Sequence, residues 1–220
     1  ADSRMVVQAL QESGHEVAMI TGDAALTALH VARETGIIRN SDTESGSTKR
    51  PVLLLEPSPV DGESSKSGAR WIRATGSDEE RHESVLDFAS APNMRELSKT
   101  NDLMATMAGL EAADVQSDGE VWHDVDCVRV FARMSPQGKA QVIRSMQKFQ
   151  GLNVLMCGDG GNDVGALKQA NVGLALLSGY GDANTDMDDE QTSHETSDSA
   201  IVTADGAAMS AEDKLNARAA

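Results

Sequence analysis

Val154-Leu-Met-Cys-Gly-Asp-Gly-Gly-Asn-Asp163 passes from a short apolar run into a turn that holds two carboxylates and three glycines. Residues 164–170, rich in Ala, Leu and Lys, follow with the pattern of a helix. Asp159 and Asp163 are four residues apart, and Asn162 stands beside the second. An oxygen-rich turn directly after a strand predicts a metal and phosphate site at the carboxyl end of that strand.

Three familiar ligand-binding motifs do not explain this turn. The dinucleotide fingerprint needs a third glycine where Asp163 stands. The calcium-loop pattern needs a glycine where Val164 stands. A Gly-x-x-x-x-Gly-Lys-Ser/Thr loop occurs nowhere in the sequence. A Gly-Asp turn alone is more often only a turn, so the site needs support from elsewhere in the chain.

Apolar runs of strand length alternate with helical segments along the chain. The runs are residues 17–20, 51–56, 103–106, 128–132, 153–157 and 172–177, the last predicted as a core strand. This alternation predicts an α/β fold, a Rossmann-like parallel sheet with helices on both faces. Ligands of such sheets lie beyond the carboxyl ends of the strands, and Asp23, Asp159 and Asp163 all fall there.

Two further segments have features that favour anion binding. Ser135 and Pro136 predict a helix start, and Lys139 lies in the first turn, where unpaired N–H groups and the helix dipole favour negative charge. Thr21 follows another apolar run and offers a hydroxyl and a backbone N–H to a phosphoryl oxygen. The plainer alternatives are a surface lysine at 139 and a helix cap at Thr21 or Asp23.

Composition limits the functional classes. The chain has 220 residues, 40% hydrophobic and 3% aromatic, and a net charge of −16, which argues against a nucleic-acid partner. Cys127 and Cys157 lie in apolar runs and are predicted as buried free thiols in a reducing compartment. No apolar run approaches the ~20 residues of a membrane helix.

The predicted domain covers residues 1–178, with a loosely patterned, insertion-like region at about 40–125. Residues 179–220 are predicted as an acidic, disordered linker, because 179–198 carry seven carboxylates and no Lys or Arg. The chain begins at Ala1 and opens directly in a helical pattern, so we expect a part of a larger protein.

Three motifs together resemble those of the haloacid dehalogenase superfamily, in the form found in P-type ATPases. Residues 19–28, Met-Ile-Thr-Gly-Asp-Ala-Ala-Leu-Thr-Ala, resemble the Thr-Gly-Asp-x-x-x-Thr-Ala motif. Residues 130–139, Val-Phe-Ala-Arg-Met-Ser-Pro-Gln-Gly-Lys, resemble Arg-x-x-Pro-x-x-Lys, and residues 157–163 resemble Gly-Asp-Gly-x-Asn-Asp. The fifth class, in its endoplasmic-reticulum branch of transmembrane-helix dislocases, is the class that residues 26–33, 130–136, 156–160 and 162–168 resemble.

The resemblance implies a haloacid dehalogenase-like fold and a set of roles. It implies a catalytic group of Thr21, Asp23, Lys139, Asn162 and Asp163. It implies nucleotide or phosphate contacts by Gly22, Arg133, Gly158 and Gly160, Mg²⁺ binding by Asp159 and Asp163, and ATP as the substrate. Gly161 stands where many relatives have Thr.

The resemblance also implies partners from the same protein. The phosphorylated aspartate of Asp-Lys-Thr-Gly-Thr is not in this sequence. Asp124 and Asp126 offer two aspartates, but they follow the Thr21 motif, whereas the nucleophile comes first in this superfamily; a strand-entry turn is the better interpretation. We therefore expect a nucleophile segment, nucleotide-binding and actuator domains and membrane helices outside this chain. The expected location is the endoplasmic-reticulum membrane, with this part facing the cytosol and touching the membrane only through those segments.

Two other functions remain open from the sequence. One is a free-standing phosphatase of the same superfamily, which needs an Asp-x-Asp strand upstream. The other is a non-catalytic binding module of the same fold, with the acidic tail as its interaction element. The preferred interpretation is a segment of an ATP-driven transporter or helix dislocase, and we expect this chain alone to be inactive.

Overall fold

The computed structural model of the protein describes residues 2–38, 50–59, 68–74 and 86–176. The strands within these ranges are β1 (Met19–Ile20), β2 (Val52–Pro57), β3 (Ala69–Arg73), β4 (Leu86–Asp87), β5 (Asp102–Thr106), β6 (Val128–Ala132), β7 (Leu155–Gly158) and β8 (Val172–Ala175). The α-helices there are α1 (Asp2–Glu12), α2 (Ala25–Glu34), α3 (Met94–Thr100), α4 (Met107–Ser117), α5 (Pro136–Gln150) and α6 (Val164–Gln169). Short 3₁₀ helices cover Glu120–Cys127 and Gly161–Asp163. The predicted acidic linker, 179–220, lies outside the described residues.

The strands form an α/β structure with one large sheet and one small one. The large sheet has the order β1-β6-β5-β2-β3-β4, and the small sheet consists of β7 and β8. The pairs β1/β6, β6/β5, β5/β2 and β7/β8 are parallel. The prediction of a parallel sheet needs a correction, because β3 and β4 are antiparallel to their neighbours, which makes the sheet mixed. Parallel neighbours need a crossover connection of about a dozen residues or more, and the stretch between Pro57 and Ala69 is shorter than that, so β3 pairs antiparallel with β2.

Both faces of the large sheet are covered, as predicted. On β2, Leu53 and Leu55 point into one apolar cluster, while Val52 and Leu54 point into another. This alternation follows from the two-residue period of a strand. Helix α2 covers the second face with Ala28, Leu29 and Ala32, and the first face is covered by Met94 and Leu97 of α3, Leu110 and Ala113 of α4 and Val142 of α5.

Helix α5 begins and ends where the sequence predicts. The Ser135 hydroxyl accepts a hydrogen bond from the Gly138 N–H at 3.0 Å, and Pro136 is the first helical residue. Gly151 ends the helix with a positive φ of 63°, which costs glycine nothing because it has no Cβ. The start of α5 is therefore fixed firmly, which matters because Lys139 lies one turn further on.

The small sheet is covered on one face only within the described residues. Met156 is buried with Ile143 of α5 and Ala166 of α6, and Ile20 at the end of β1 packs against the same cluster. Leu155, Val172 and Leu174 are all exposed. The prediction of residues 172–177 as a core strand is therefore wrong in this structure, since the described strand β8 is exposed throughout.

None of the helices in the described ranges is long and apolar enough to cross a membrane.

Candidate phosphate and magnesium site

The centre of the candidate site is a buried ion pair between two predicted residues. The Lys139 Nζ donates to Asp163 Oδ1 at 2.6 Å, and the two side chains are only 6% and 9% exposed. Lys139 comes from the first turns of α5, and Asp163 ends the 3₁₀ turn after β7. The alternative of a solvated surface lysine is thus excluded, because burial of a lysine requires a partner such as this carboxylate.

The turn after β7 is shaped around the Asp163 carboxylate. The Asp163 N–H donates to Gly160 O at 2.9 Å, and its Oδ2 accepts from the Gly160 N–H at 3.4 Å. A Cβ on Gly158 would lie 2.7 Å from Asp163 Oδ2 and 2.8 Å from Asp163 Cβ. Glycine is required at 158 because any side chain would occupy the space that the carboxylate fills.

The turn after β1 orients its own hydroxyl. Thr21 Oγ1 donates to Asp23 Oδ2 at 2.9 Å and accepts from the Asp23 N–H at 3.1 Å. The Thr21 N–H donates to Phe131 O at 2.9 Å, which extends the ladder between β1 and β6. The expectation that this N–H also serves a phosphoryl oxygen is wrong here, because the ladder already uses it. Asp23 does not cap α2 either, since Ala24 occupies the cap position without a side-chain hydrogen bond.

Main-chain hydrogen bonds join this turn to the segment before α5. The Arg133 N–H donates to Asp23 O and the Met134 N–H donates to Thr21 O, both at 2.9 Å. Met134 is buried, whereas the Arg133 side chain is exposed. The three predicted motifs are thus linked in one series, from the 21–23 turn through 133–134 and Lys139 to Asp163.

The remaining predicted residues lie in the two turns that this series joins. Asp159, Asn162 and Gly22 are exposed, and Gly160 is half-buried. No group of three or more His, Cys, Asp or Glu side chains within the described ranges is arranged to hold a metal ion. One exposed carboxylate and one amide oxygen fit Mg²⁺ as a partial ligand set, because this ion keeps several waters and takes one or two carboxylates.

Sequence reasoning missed two features of the site. It assigned Asp163 to metal and phosphate but not to the buried ammonium of Lys139, which lies 24 residues away. It also treated Arg133 only as a side chain, whereas its backbone carries a hydrogen bond to Asp23 and a positive φ of 52°. Spacing cannot reveal either feature, because both depend on how separate turns meet in the fold.

A second group of charges lies apart, at the 3₁₀ helix before β6. Arg95 donates to Asp124 Oδ1 and Asp126 Oδ1 at 3.0 and 3.1 Å, so Asp124 and Asp126 are structural ion-pair partners. The hydrogen bond to Asp126, followed by the charge of Cys127, raises the pKa of the Arg95 guanidinium. Burial raises the pKa of the Cys127 thiol.

The prediction that both cysteines are buried holds for Cys127 but is wrong for Cys157, which is exposed on the uncovered face of β7.

Comparison with known proteins gives the same family as the motifs. The chain is 38% identical over 177 residues to the probable manganese-transporting ATPase PDR2 of Arabidopsis thaliana. It is 37% identical over 178 residues to the endoplasmic reticulum transmembrane helix translocase spfA of Aspergillus fumigatus. It is 32% identical over 179 residues to the human polyamine-transporting ATPase 13A3. This chain belongs to the P-type ATPases.

These matches cover most of this chain but only a small part of each relative. They cover 80%, 81% and 78% of this chain, but only 13%, 12% and 14% of the three relatives. The chain therefore spans about one eighth of the length of the P-type ATPases it matches. No family model matches the sequence. The relatives are P-type ATPases of the fifth class, as the motifs at 19–28, 130–139 and 157–163 suggest.

Proposed function

We propose that this P-type ATPase segment supplies the phosphate- and magnesium-binding part of an aspartyl-phosphate site, in an enzyme that couples ATP hydrolysis to membrane transport or to helix dislocation. The buried ion pair of Lys139 and Asp163 carries the proposal. It holds an ammonium in a fixed place at the carboxyl ends of β1 and β7, where parallel α/β sheets bind ligands. Phosphoryl transfer depends mainly on such positioning and charge neutralisation.

Each residue has a distinct part in this proposal. Lys139 neutralises charge on the phosphoryl group, and Asp163 keeps its ammonium in place. The Thr21 hydroxyl, oriented by Asp23, turns from that carboxylate to a phosphoryl oxygen. Asn162 donates to the same group from its exposed amide. Gly22, Gly158 and Gly160 allow the phosphate to approach the backbone, and the exposed Arg133 faces the nucleotide.

Asp159 is the proposed direct side-chain ligand of Mg²⁺, with Asp163 acting on the metal-bound water. When bound, the ion neutralises charge on the phosphoryl group. Asp159 suits this role because its carboxylate is exposed at the end of β7, whereas that of Asp163 is already paired. The complete set requires a further carboxylate, which we assign to the nucleophile segment.

The nucleophile segment is the proposed partner at the centre of the fold. In the described residues β1 pairs only with β6, and β7 only with β8, so each has one unpaired edge. Ile20 of β1 nevertheless packs against the cluster around Met156 of β7. A strand between these edges would join the two sheets into one. Its carboxyl end would then bring an aspartate between the Thr21 and Asp159 turns.

The names of three relatives support the proposed location. The Aspergillus, Schizosaccharomyces pombe and Saccharomyces cerevisiae relatives are named endoplasmic reticulum transmembrane helix translocases. We propose the same membrane for the protein that contains this chain, with this part on the cytosolic side. Nucleotide-binding, actuator and membrane domains complete it. The ATPase names favour this function over a free-standing phosphatase or a binding module.

The test is phosphoenzyme formation by the complete protein incubated with Mg²⁺ and γ-labelled ATP. Lys139→Met and Asp159→Asn should each lower the phosphorylation rate by roughly 10²–10³, since single electrostatic contacts at such sites have that effect. Lys148→Met is the matched control, because Lys148 is exposed on the same helix and lies over Phe149. Near-normal phosphoenzyme formation in Lys139→Met would refute the site. The 220-residue chain alone should incorporate no label, because it lacks the nucleophile motif.

A further inference from the structure

Arg133 has a backbone conformation that its side chain disfavours. Its φ is 52°, and the other described non-glycine residue with a positive φ is Asp118, at 51°. In this left-handed region Cβ approaches the following carbonyl oxygen, so residues other than Gly, Asn and Asp seldom adopt it. Arginine has no short polar group to offset that cost, so the surrounding hydrogen bonds must hold the conformation in place.

The left-handed turn lies between two phosphate-site segments. On its amino side, β6 ends at the buried Ala132; on its carboxyl side, Met134 enters the core and Ser135 caps α5. The consecutive N–H groups of Arg133 and Met134 donate to the two carbonyls of the 21–23 turn, those of Asp23 and Thr21. The conformation at 133 thus fixes how the Thr21 turn meets the helix that carries Lys139.

We infer that Arg133 is a positioning residue that acts through its backbone, setting the Thr21 hydroxyl relative to the Lys139 ammonium. This inference rests on the proposed function for its catalytic consequence, but its structural part is independent of any activity. The guanidinium is exposed and has no hydrogen-bond or ion-pair partner among the described residues, so it is available to the nucleotide. Position 133 therefore has two separable roles, and substitutions that preserve one can remove the other.

Amide hydrogen exchange in the 220-residue chain tests the structural part. Arg133→Gly and Arg133→Asn should keep the amides of residues 133 and 134 protected, because both accept the left-handed region. Arg133→Val should speed their exchange by about tenfold or more, since a β-branched residue is a genuine outlier there. Asp118→Val is the matched control. It imposes the same strain at the end of α4 and should leave exchange at 133 and 134 within twofold of the unmodified chain.

Kinetics of the complete enzyme test the catalytic part. Loss of the guanidinium should raise the KM for ATP similarly in Arg133→Gly and Arg133→Val. The kcat of Arg133→Val should be about tenfold lower than that of Arg133→Gly, because only valine disturbs the backbone. Equal kcat values, or unchanged exchange in Arg133→Val, would overturn the inference. The two proposals can fail separately. If neither the unmodified enzyme nor any variant forms a phosphoenzyme, the proposed function fails. The structural role of Arg133 still stands if amide exchange remains faster in Arg133→Val than in Arg133→Gly.

Discussion

The Lys139 ammonium of α5 lies 2.6 Å from the Asp163 carboxylate at the end of the turn after β7, and each side chain is less than one tenth exposed. Each group makes burial of the other possible. A charge removed from water without a partner costs several kcal/mol, and mutual attraction at this distance offsets much of that cost. A change that breaks this pair should therefore affect both the candidate site and the stability of the fold around it.

Removing one member of this pair should destabilise the isolated chain. Lys139→Met leaves the Asp163 carboxylate buried and unpaired, which should lower the free energy of unfolding by ~3–5 kcal/mol. The double variant Lys139→Met/Asp163→Leu should recover most of that loss, because both charges are gone. Urea unfolding monitored by circular dichroism measures these differences.

An exposed ion pair provides the control for that measurement. Lys99 lies 2.7 Å from Glu96 on α3, and both side chains are more than half exposed. Lys99→Met should cost about 1 kcal/mol or less, because solvent screens the pair. Equal losses in Lys99→Met and Lys139→Met would contradict the importance assigned to burial.

Gly158 should not tolerate a side chain, whereas Gly161, in the same turn, should tolerate one. Gly158→Ala places a methyl group 2.7 Å from Asp163 Oδ2 and must displace that carboxylate from Lys139. We expect a loss of ~1–3 kcal/mol, as for overpacked positions. Gly161→Ala meets no atom within 4 Å and should leave the stability almost unchanged. Thermal unfolding of both variants separates the two cases, and a tolerant Gly158→Ala would show that the turn can relax.

Features that depend on local chemistry could be predicted from the sequence, whereas features that depend on how separate segments meet could not. The cap at Ser135 and the end of α5 at Gly151 depend on local chemistry, so the sequence predicts them correctly. The antiparallel direction of β3 and β4 depends on which strands become neighbours in the sheet, and the apolar pattern of a single sequence does not encode that pairing. The apolar run of β8 indicates burial but not the identity of the element that covers it.

The two cysteines should differ in reactivity toward iodoacetamide. The thiolate is the reactive form, and burial both shields Cys127 and raises its pKa, so less of it is ionised near neutral pH. Cys157 is exposed and should be alkylated first. Raising the pH should increase the Cys127 rate, because more of that thiol ionises. Peptide mass spectrometry over time measures both sites, and denaturant should remove the difference. Faster labelling of Cys127 in the folded chain would contradict its burial.

The two faces of β7 should respond oppositely to truncation in the isolated chain. Met156 is 7% exposed and packs against α5 and α6, so Met156→Ala should cost ~2–5 kcal/mol. Leu155 is 63% exposed, so Leu155→Ala should change the free energy of unfolding by no more than ~0.5 kcal/mol. Urea titrations of the two variants measure the contrast. A large loss in Leu155→Ala would mean that another part of this chain covers that face.

In the complete protein the exposed face of β7 should no longer tolerate a charge. If the segment that carries the nucleophile strand also packs on the exposed face of β7, Leu155 becomes part of a closed core, and Leu155→Asp would bury an unpaired carboxylate there. We expect this variant to accumulate poorly and to form little phosphoenzyme, although the same change in the isolated chain is mild. Val115→Asp, at an exposed position on α4, is the control and should behave normally. Normal accumulation and phosphorylation of Leu155→Asp would show that this face of β7 stays exposed in the complete protein, since an unpaired carboxylate in a closed core is strongly destabilising.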